Sequence, residues 1–186
     1  MAEKYLSAQL HEKVPKQKLI DYYVYCLVSD GDIMEGVSYE ALSLAGSLNL
    51  KKLIVLYDSN GTTVDGSLTD THTEDTIKKL LTMGWEVDYV PEGNDVREID
   101  KAIERAKYNK KPKLIEVKTV IGRGSQHEGK SIIHGKPLTK EDIANLRKNL
   151  NIHTNTLEIT ENAVKYMRKS ISYRMDNYYK EWENIY

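Results

Sequence analysis

The chain has 186 residues, 30% of them charged, and a formal net charge of −1. This length can bury a core and fits a single domain, and the charge balance gives neither a basic footprint for nucleic acid nor an acidic tail. No apolar run approaches the roughly 18 residues of a membrane helix. The expectation is a soluble protein that binds neither nucleic acid nor membrane.

The N-terminal stretch Met1 to Glu12 lacks the charged-then-apolar pattern of a secretory signal. A single cysteine, Cys26, excludes an internal disulfide and fits a reducing, cytoplasmic setting. Cys26 lies inside a strand-like run, so a buried, inert thiol is expected. The chain has 13 Tyr and no Phe, a bias to which no function attaches.

In chain order, the first strong element is the apolar, β-prone run at 22–28, YYVYCLV. A helix follows from Met34 to Leu48, with Val37, Ala41, Leu44, Ala45 and Leu48 at spacings of three and four. Residues 53–57, LIVLY, form a second continuous apolar strand. Continuous apolarity predicts strands covered on both faces, as in a parallel sheet. Thr73 to Met83 reads as a short helix and Trp85 to Val90 as a weaker strand. A helix from Asp95 to Tyr108 opens on an Asp-x-x-Glu box, Asp95 to Glu98. Leu114 to Val117 gives the fourth strand, a weaker signal like Trp85 to Val90.

Residues 119–138 break the rhythm with Gly122, Gly124, Gly129, Gly135 and Pro137. A Gly-rich loop directly after a strand is where ligand contacts concentrate. Helices are expected at Thr139 to Asn149 and Thr160 to Tyr186, the last amphipathic and packed on the domain. Alternating strands and helices predict an α/β fold, a doubly wound, mostly parallel sheet flanked by helices. Residues 1–138 form its core and 139–186 a C-terminal helical extension of the same domain.

Open parallel sheets bind ligands beyond the carboxyl ends of their strands. Asp30 follows the first strand and Asn60 the second. Neighbouring strands lie about 5 Å apart, so a carboxylate and an amide oxygen can share one cation. Magnesium takes about six oxygens and keeps phosphate and water among them. Gly31, without a Cβ, lets its N–H approach a phosphate, and a helix starting near Ile33 or Met34 adds N-terminal N–H groups. A plain polar turn is the competing reading of Asp30-Gly31-Asp32, and the matched Asn60 weighs against it.

Other motifs fail by spacing. An EF-hand starting at Asp30 would carry Met34, Glu35 and Ala41 where an acceptor, a glycine and a glutamate belong. GRGSQH at 122–127 lacks the third glycine of a dinucleotide fingerprint. There is no Walker A sequence and no nucleophile elbow. The five histidines, at 11, 72, 127, 134 and 153, have no metal-ligand spacing.

SDGDIMEG at 29–36 and LIVLYDSN at 53–60, with VDG at 64–66, GNDV at 93–96, LIEVKTVIGRGS at 114–125, HGKPL at 134–138 and the closing KEWENIY, together resemble the transketolase family over nearly the whole chain. The match is to the diphosphate-binding part of that family's thiamine-diphosphate domain. Other thiamine enzymes, such as dehydrogenase components, share the metal motif but not the combination through residue 138. A non-catalytic binding or scaffolding domain that kept the fold is the remaining alternative.

The resemblance implies thiamine diphosphate and Mg2+ (or Ca2+) as cofactors, sugar phosphates as substrates, and transferase chemistry of the pentose phosphate pathway. It implies Asp30, Asn60 and the carbonyl of Thr62 as metal ligands, Gly31 as the diphosphate-contacting glycine, and Val64 and Ile121 against the cofactor rings. His134 is implied as the catalytic histidine reaching both diphosphate and substrate, and Glu35 as a carboxylate at a subunit interface. Trp85 and Trp182 are read as packing residues. Ser29 departs from the family's first glycine, Arg123 stands where an aromatic is usual, and the loop from Ser125 to His134 is slightly short.

Transketolases are several-fold longer. The family's G-P-L-G-Q-G loop, its G-H-P and G-H-G motifs, and the pyrimidine domain with its activating glutamate have no counterpart in this sequence. The resemblance therefore implies a thiamine-diphosphate fold incomplete at the N-terminus. It also implies a chain that does not complete the reaction alone, either a fragment of a longer enzyme or one half of a split enzyme, acting as a homodimer or with a partner chain carrying the pyrimidine domain.

Overall fold

The computed structural model describes residues 1–13, 19–64, 66–154 and 157–184. Asp65 of the VDG motif and Ile185-Tyr186 of the closing motif lie outside them. A helix the sequence pattern did not announce, α1 (Ala2–Lys13), opens the chain. It is tethered by polar contacts: Glu3 pairs with Lys52, and the Lys4 ammonium donates to the Leu48 carbonyl.

Next come β1 (Val24–Ser29), α2 (Asp30–Met34), α3 (Gly36–Ser47), β2 (Leu53–Ser59), a two-rung hairpin β3 (Thr62–Thr63) and β4 (Gly66–Ser67), then α4 (Leu68–Thr71) and α5 (Thr76–Thr82). After these come β5 (Glu86–Val90), α6 (Val96–Ala106), β6 (Lys113–Lys118), a single 3₁₀ turn (Ser131–Ile133), α7 (Lys140–Asn149) and α8 (Glu161–Glu183).

The main sheet is parallel in every pairing, with the order β1-β2-β6-β5. Its residue alternation sorts the core into two layers. Val55, Tyr57 and Leu114 face Ile33, Ala45, Leu80 and Trp85. Ile54, Ile115, Val117 and Val90 face Ala102 and Ala106 of α6. Helices therefore cover both faces, as the α/β reading requires. Trp85, 2% exposed, donates its indole N–H to the Leu42 carbonyl at 2.8 Å and is a packing residue, as expected.

Three sequence expectations are corrected. The helix expected over Met34 to Leu48 is α3, starting at Gly36, and an unexpected short helix, α2, precedes it: there the Asp32 carboxylate accepts from the Ser29 N–H at 2.8 Å and hydroxyl at 2.7 Å. The chain then extends at Glu35 (ψ 137°) before α3 begins. Those two bonds hold the Asp32 pKa below the usual carboxylate value, the hydroxyl bond first. The Asp95 cap is present, accepting from the N–H groups of Arg97 and Glu98, but the Glu98 carboxylate pairs with Lys101.

The second correction concerns β1. Among the described residues it pairs only with β2, and Val24, Tyr25, Cys26 and Leu27 are exposed. Both-face cover holds for β2 and β6 and fails at this edge. Cys26 is thus an accessible thiol and not a buried one. In the native chain it should react with one equivalent of a thiol reagent as fast as a free small thiol; a requirement for denaturant would mean that β1 is covered in solution.

The third concerns the C-terminal helix. α7 docks on the Gly-rich loop: the Asn149 amide donates to the Gly124 carbonyl at 2.8 Å, and Leu150 lies against Gly124. The Thr139–Asp142 capping pair fixes the start of α7. α8, expected to pack on the domain, has no buried residue.

Candidate functional site

Parallel pairing brings Ser29 opposite Asp58, so Asp30 and Asn60 leave the sheet side by side at its carboxyl edge. Asp30 is 2% exposed. Its Oδ1 accepts from the Tyr57 hydroxyl and its Oδ2 from the Gly61 N–H at 2.8 Å. A buried carboxylate needs such partners, and each oxygen keeps a lone pair beyond the one already used. Burial first, then the bond to Asp30, pushes the Tyr57 phenol pKa above its ordinary value, so this hydroxyl stays a donor across the neutral range.

Asn60 is held from two sides. Its Oδ1 accepts from the Thr62 N–H at 2.9 Å and its amide donates to Asp58 at 3.3 Å. The other Asp58 oxygen accepts from the Thr119 hydroxyl. Thr62 is buried on β3. Asp30, Asn60 and Thr62 thus belong to one hydrogen-bonded cluster, joined through the N–H groups of Gly61 and Thr62.

A cleft of about 450 Å³ opens beside this cluster. Asn60, Asp58 and Thr119 are its polar lining, and Leu27, Leu56, Ile99, Val117 and Ile121 are among its apolar lining. Ile121 thus lines the cleft, whereas Val64 stands 72% exposed at the hairpin tip and is not among the lining residues. At Gly31 the space a Cβ would enter is open, with nothing within 4 Å.

The loop after β6 folds back over this edge. Gly122 has φ +65°, and a Cβ there would meet Ile133 Cδ1 at 1.9 Å. That contact ties the 3₁₀ turn to the loop, and the turn packs against β4. His134 follows directly, its N–H bonded to the Ser131 carbonyl at 2.8 Å. Its Nδ1 is buried without a hydrogen-bond partner. Glu35 stands exposed at the α2–α3 break.

The oxygens gathered here suit a hard cation: a carboxylate, an amide and a backbone carbonyl. No group of three His, Cys, Asp or Glu side chains able to hold a metal occurs among the described residues. A cation at this site would therefore draw on the single Asp30 carboxylate, on neutral oxygens and on its own ligand's phosphates. The open space at Gly31 fits a polyanionic ligand beside it; His134 is not among the residues that line the cleft.

The sequence did not single out Tyr57, Gly61, Asp58 or Thr119. Tyr57 hides in an apolar run; its register opposite Val28 puts its ring on the α2–α3 face, where Asp30 lies. Replacing Tyr57 by Phe keeps the ring and removes one donor from a buried charge. The expected cost is about 1.5–3 kcal/mol, seen as a lower urea midpoint at unchanged slope; an unchanged midpoint would show that the bond contributes nothing.

Fold and strand-end cluster define an α/β ligand-binding domain of the kind that seats a phosphorylated cofactor at the carboxyl edge of a parallel sheet. The family model for the thiamine diphosphate binding domain of transketolase matches residues 1–186, and the chain belongs to that family. It is 39% identical to a transketolase of Aquifex aeolicus over 186 residues, all of this chain and 27% of that one. It is 52% identical to that of Bacillus subtilis over 126 residues, 67% of this chain and 19% of the other.

Among solved structures, a transketolase from Leishmania mexicana superposes with a TM-score of 0.90 at 39% identity, covering 98% of this chain and 27% of its own. A transketolase from Pichia stipitis in complex with sedoheptulose-7-phosphate gives 0.82 at 33% identity, covering 87% and 24%. The chain thus spans about a quarter of the length of the relatives it matches. No helix among the described residues is long and apolar enough to cross a membrane.

Proposed function

We propose that this chain anchors the diphosphate of thiamine diphosphate through a divalent cation, Mg2+ or Ca2+, as part of a transketolase. Asp30, Asn60 and the Thr62 carbonyl hold the cation. Gly31 offers its N–H to the diphosphate, and Ile121, which lines the cleft, packs on the cofactor rings. His134, with its free Nδ1, is the catalytic histidine that meets diphosphate and substrate. The observation that carries this reading is the buried Asp30 carboxylate, fixed by the Tyr57 hydroxyl and the Gly61 N–H at the end of β1.

Bound there, the cofactor supplies the carbon nucleophile that moves a two-carbon ketol unit between sugar phosphates. The protein's part is to hold and orient it. Sugar-phosphate substrates are supported by the sugar-phosphate complex of the Pichia relative. With about a quarter of its relatives' length, the chain does not complete the cycle alone and needs the pyrimidine domain, whether from the rest of a longer enzyme or from a partner chain. The setting is the cytoplasmic pentose phosphate pathway. The 1–138 core carries the cofactor site and 139–186 extends it.

Calorimetry tests the reading. Thiamine diphosphate should bind saturably with Mg2+ and release on chelation. No heat at millimolar ligand would overturn it. Robust ketol transfer by the purified 186-residue chain would overturn the need for a partner.

A further inference from the structure

Of the asparagines in the chain, only Asn60 is followed by glycine. That pair has a chemistry of its own. The backbone nitrogen of the following residue can attack the asparagine side-chain carbon. An N–Cγ bond forms, the Cγ–Nδ2 bond breaks, and ammonia leaves with the proton of the backbone N–H. Water then opens the cyclic imide on either side and gives aspartate or isoaspartate. Water is consumed and ammonia released, with no oxidant or reductant. Glycine makes the step easy because no Cβ crowds the attacking nitrogen.

The fold restrains both groups that must meet. The Gly61 N–H donates to Asp30 Oδ2 at 2.8 Å. A carboxylate is far too weak a base to take an amide proton, so this bond keeps the nitrogen protonated and aimed at Asp30. The Asn60 amide is held at both ends: its Oδ1 accepts from the Thr62 N–H at 2.9 Å and its Nδ2 donates to Asp58 at 3.3 Å. Gly61 has φ +72°, and its carbonyl accepts from the Leu68 N–H at 2.9 Å, which fixes the peptide beyond it. Sterics add no further barrier. Asn60 and Gly61 are both partly exposed, Asn60 lines the cleft, and nothing lies within 4 Å of the position a Cβ on Gly61 would take.

We infer that Asn60-Gly61 is a spontaneous deamidation site, held in check by the hydrogen bonds from Asp30, Asp58 and Thr62 and released when the 60–62 turn opens. Local opening of a surface turn costs less than global unfolding, so a folded chain ages at this position first. Isoaspartate routes the backbone through the former side chain and lengthens the link between β2 and β3. Aspartate sets a further carboxylate beside Asp58. Either product alters a residue assigned above to the cation, but the inference does not rest on that reading and is tested without cofactor.

Peptide mapping by mass spectrometry, on the full chain held in mildly alkaline buffer, follows the amide-to-acid mass gain and the isoaspartate at each asparagine. Asn60 should convert before any other. It should convert at least about tenfold more slowly in the folded chain than in chain unfolded by guanidinium, because the turn must first open. Asp30→Ala frees the Gly61 N–H and should speed conversion about tenfold, the worth of a hydrogen bond to a charged group. Asp58→Ala leaves Asp30 in place, frees the Nδ2 end of Asn60 and should speed it about threefold. Far-ultraviolet dichroism checks that each variant is folded; if Asp30→Ala is not, Asp58→Ala decides. First conversion at another asparagine overturns the inference, as does an unfolded chain in which Asn60 stays intact. So does a folded chain that converts as fast as the unfolded one, or a folded Asp58→Ala chain that converts no faster than its parent.

Discussion

Gly46→Ala should destabilise the chain by about 2–3 kcal/mol, although helix propensity alone favours alanine over glycine by about 1 kcal/mol. Gly46 sits within α3 where the helix passes the turn between α5 and β5. A Cβ there would lie 1.8 Å from the Met83 carbonyl oxygen and 2.9 Å from its carbon. Those atoms are backbone and cannot swing aside. Met83 also leads into Trp85, whose indole is bonded back to α3 at Leu42. Any retreat of α3 therefore disturbs the packing of Trp85. Gly36, the first residue of the same helix, is the internal control: nothing lies within 4 Å of the position its Cβ would take. Gly36→Ala should be neutral or slightly stabilising. Urea unfolding of both variants decides the matter, and a Gly46→Ala chain as stable as Gly36→Ala would refute the close approach of α3 to this turn.

The second large effect concerns the cofactor. Asp30→Asn keeps the shape of the side chain and removes its charge. Outer-sphere changes already cost 10–100-fold in metal affinity, so loss of a direct carboxylate ligand should lower Mg2+-dependent thiamine diphosphate affinity by about a hundredfold or more. The asparagine must also meet the Tyr57 hydroxyl and the Gly61 N–H with a single oxygen. Orientation of the 60–62 turn should suffer together with the charge. Calorimetry at fixed excess Mg2+ measures the loss. Affinity within threefold of the parent chain would remove Asp30 from the proposed ligand set. Raising Mg2+ tenfold should recover part of the binding if the carboxylate acts on the cation, and none if it acts only on the fold.

Both predictions rest on parts of the chain with different legibility in sequence. β2 announces itself because it is covered on both faces and hence continuously apolar, whereas β5 and β6, broken by Asp88 and Glu116, give weaker signals. Asp30 and Asn60 follow from counting one crossover between strand ends. β1 misleads for the same reason. YYVYCLV is as apolar as LIVLY, and local pattern cannot tell a strand with a neighbour on each side from one at an edge. The exposure of Cys26 is a property of the sheet order and is written nowhere near residue 26. The split between α2 and α3 was readable, since Ser29-x-x-Asp32 is a capping signal. The α/β pattern drew attention instead to the apolar spacing that follows.

The partners of the site were less visible. Tyr57 acts through a ring face set by strand register, and Thr119 through an oxygen 61 residues distant from Asp58. Pairings of that kind exist only once the sheet is assembled. His134 sits between the two cases: its motif located it, while its unpaired nitrogen depends on how the Gly122–Ile133 contact closes the loop.

The bare outer side of β1 has a consequence for handling and for the cell. From Tyr22 to Ser29 the strand has no charge and no proline, the usual guards against sheet growth. Its outward N–H and C=O groups are a template for any extended segment that arrives, whether a proper neighbour or a misfolded copy. The rate at which this edge is capped during synthesis therefore competes directly with precipitation, and yield of usable protein becomes a matter of timing as much as of stability.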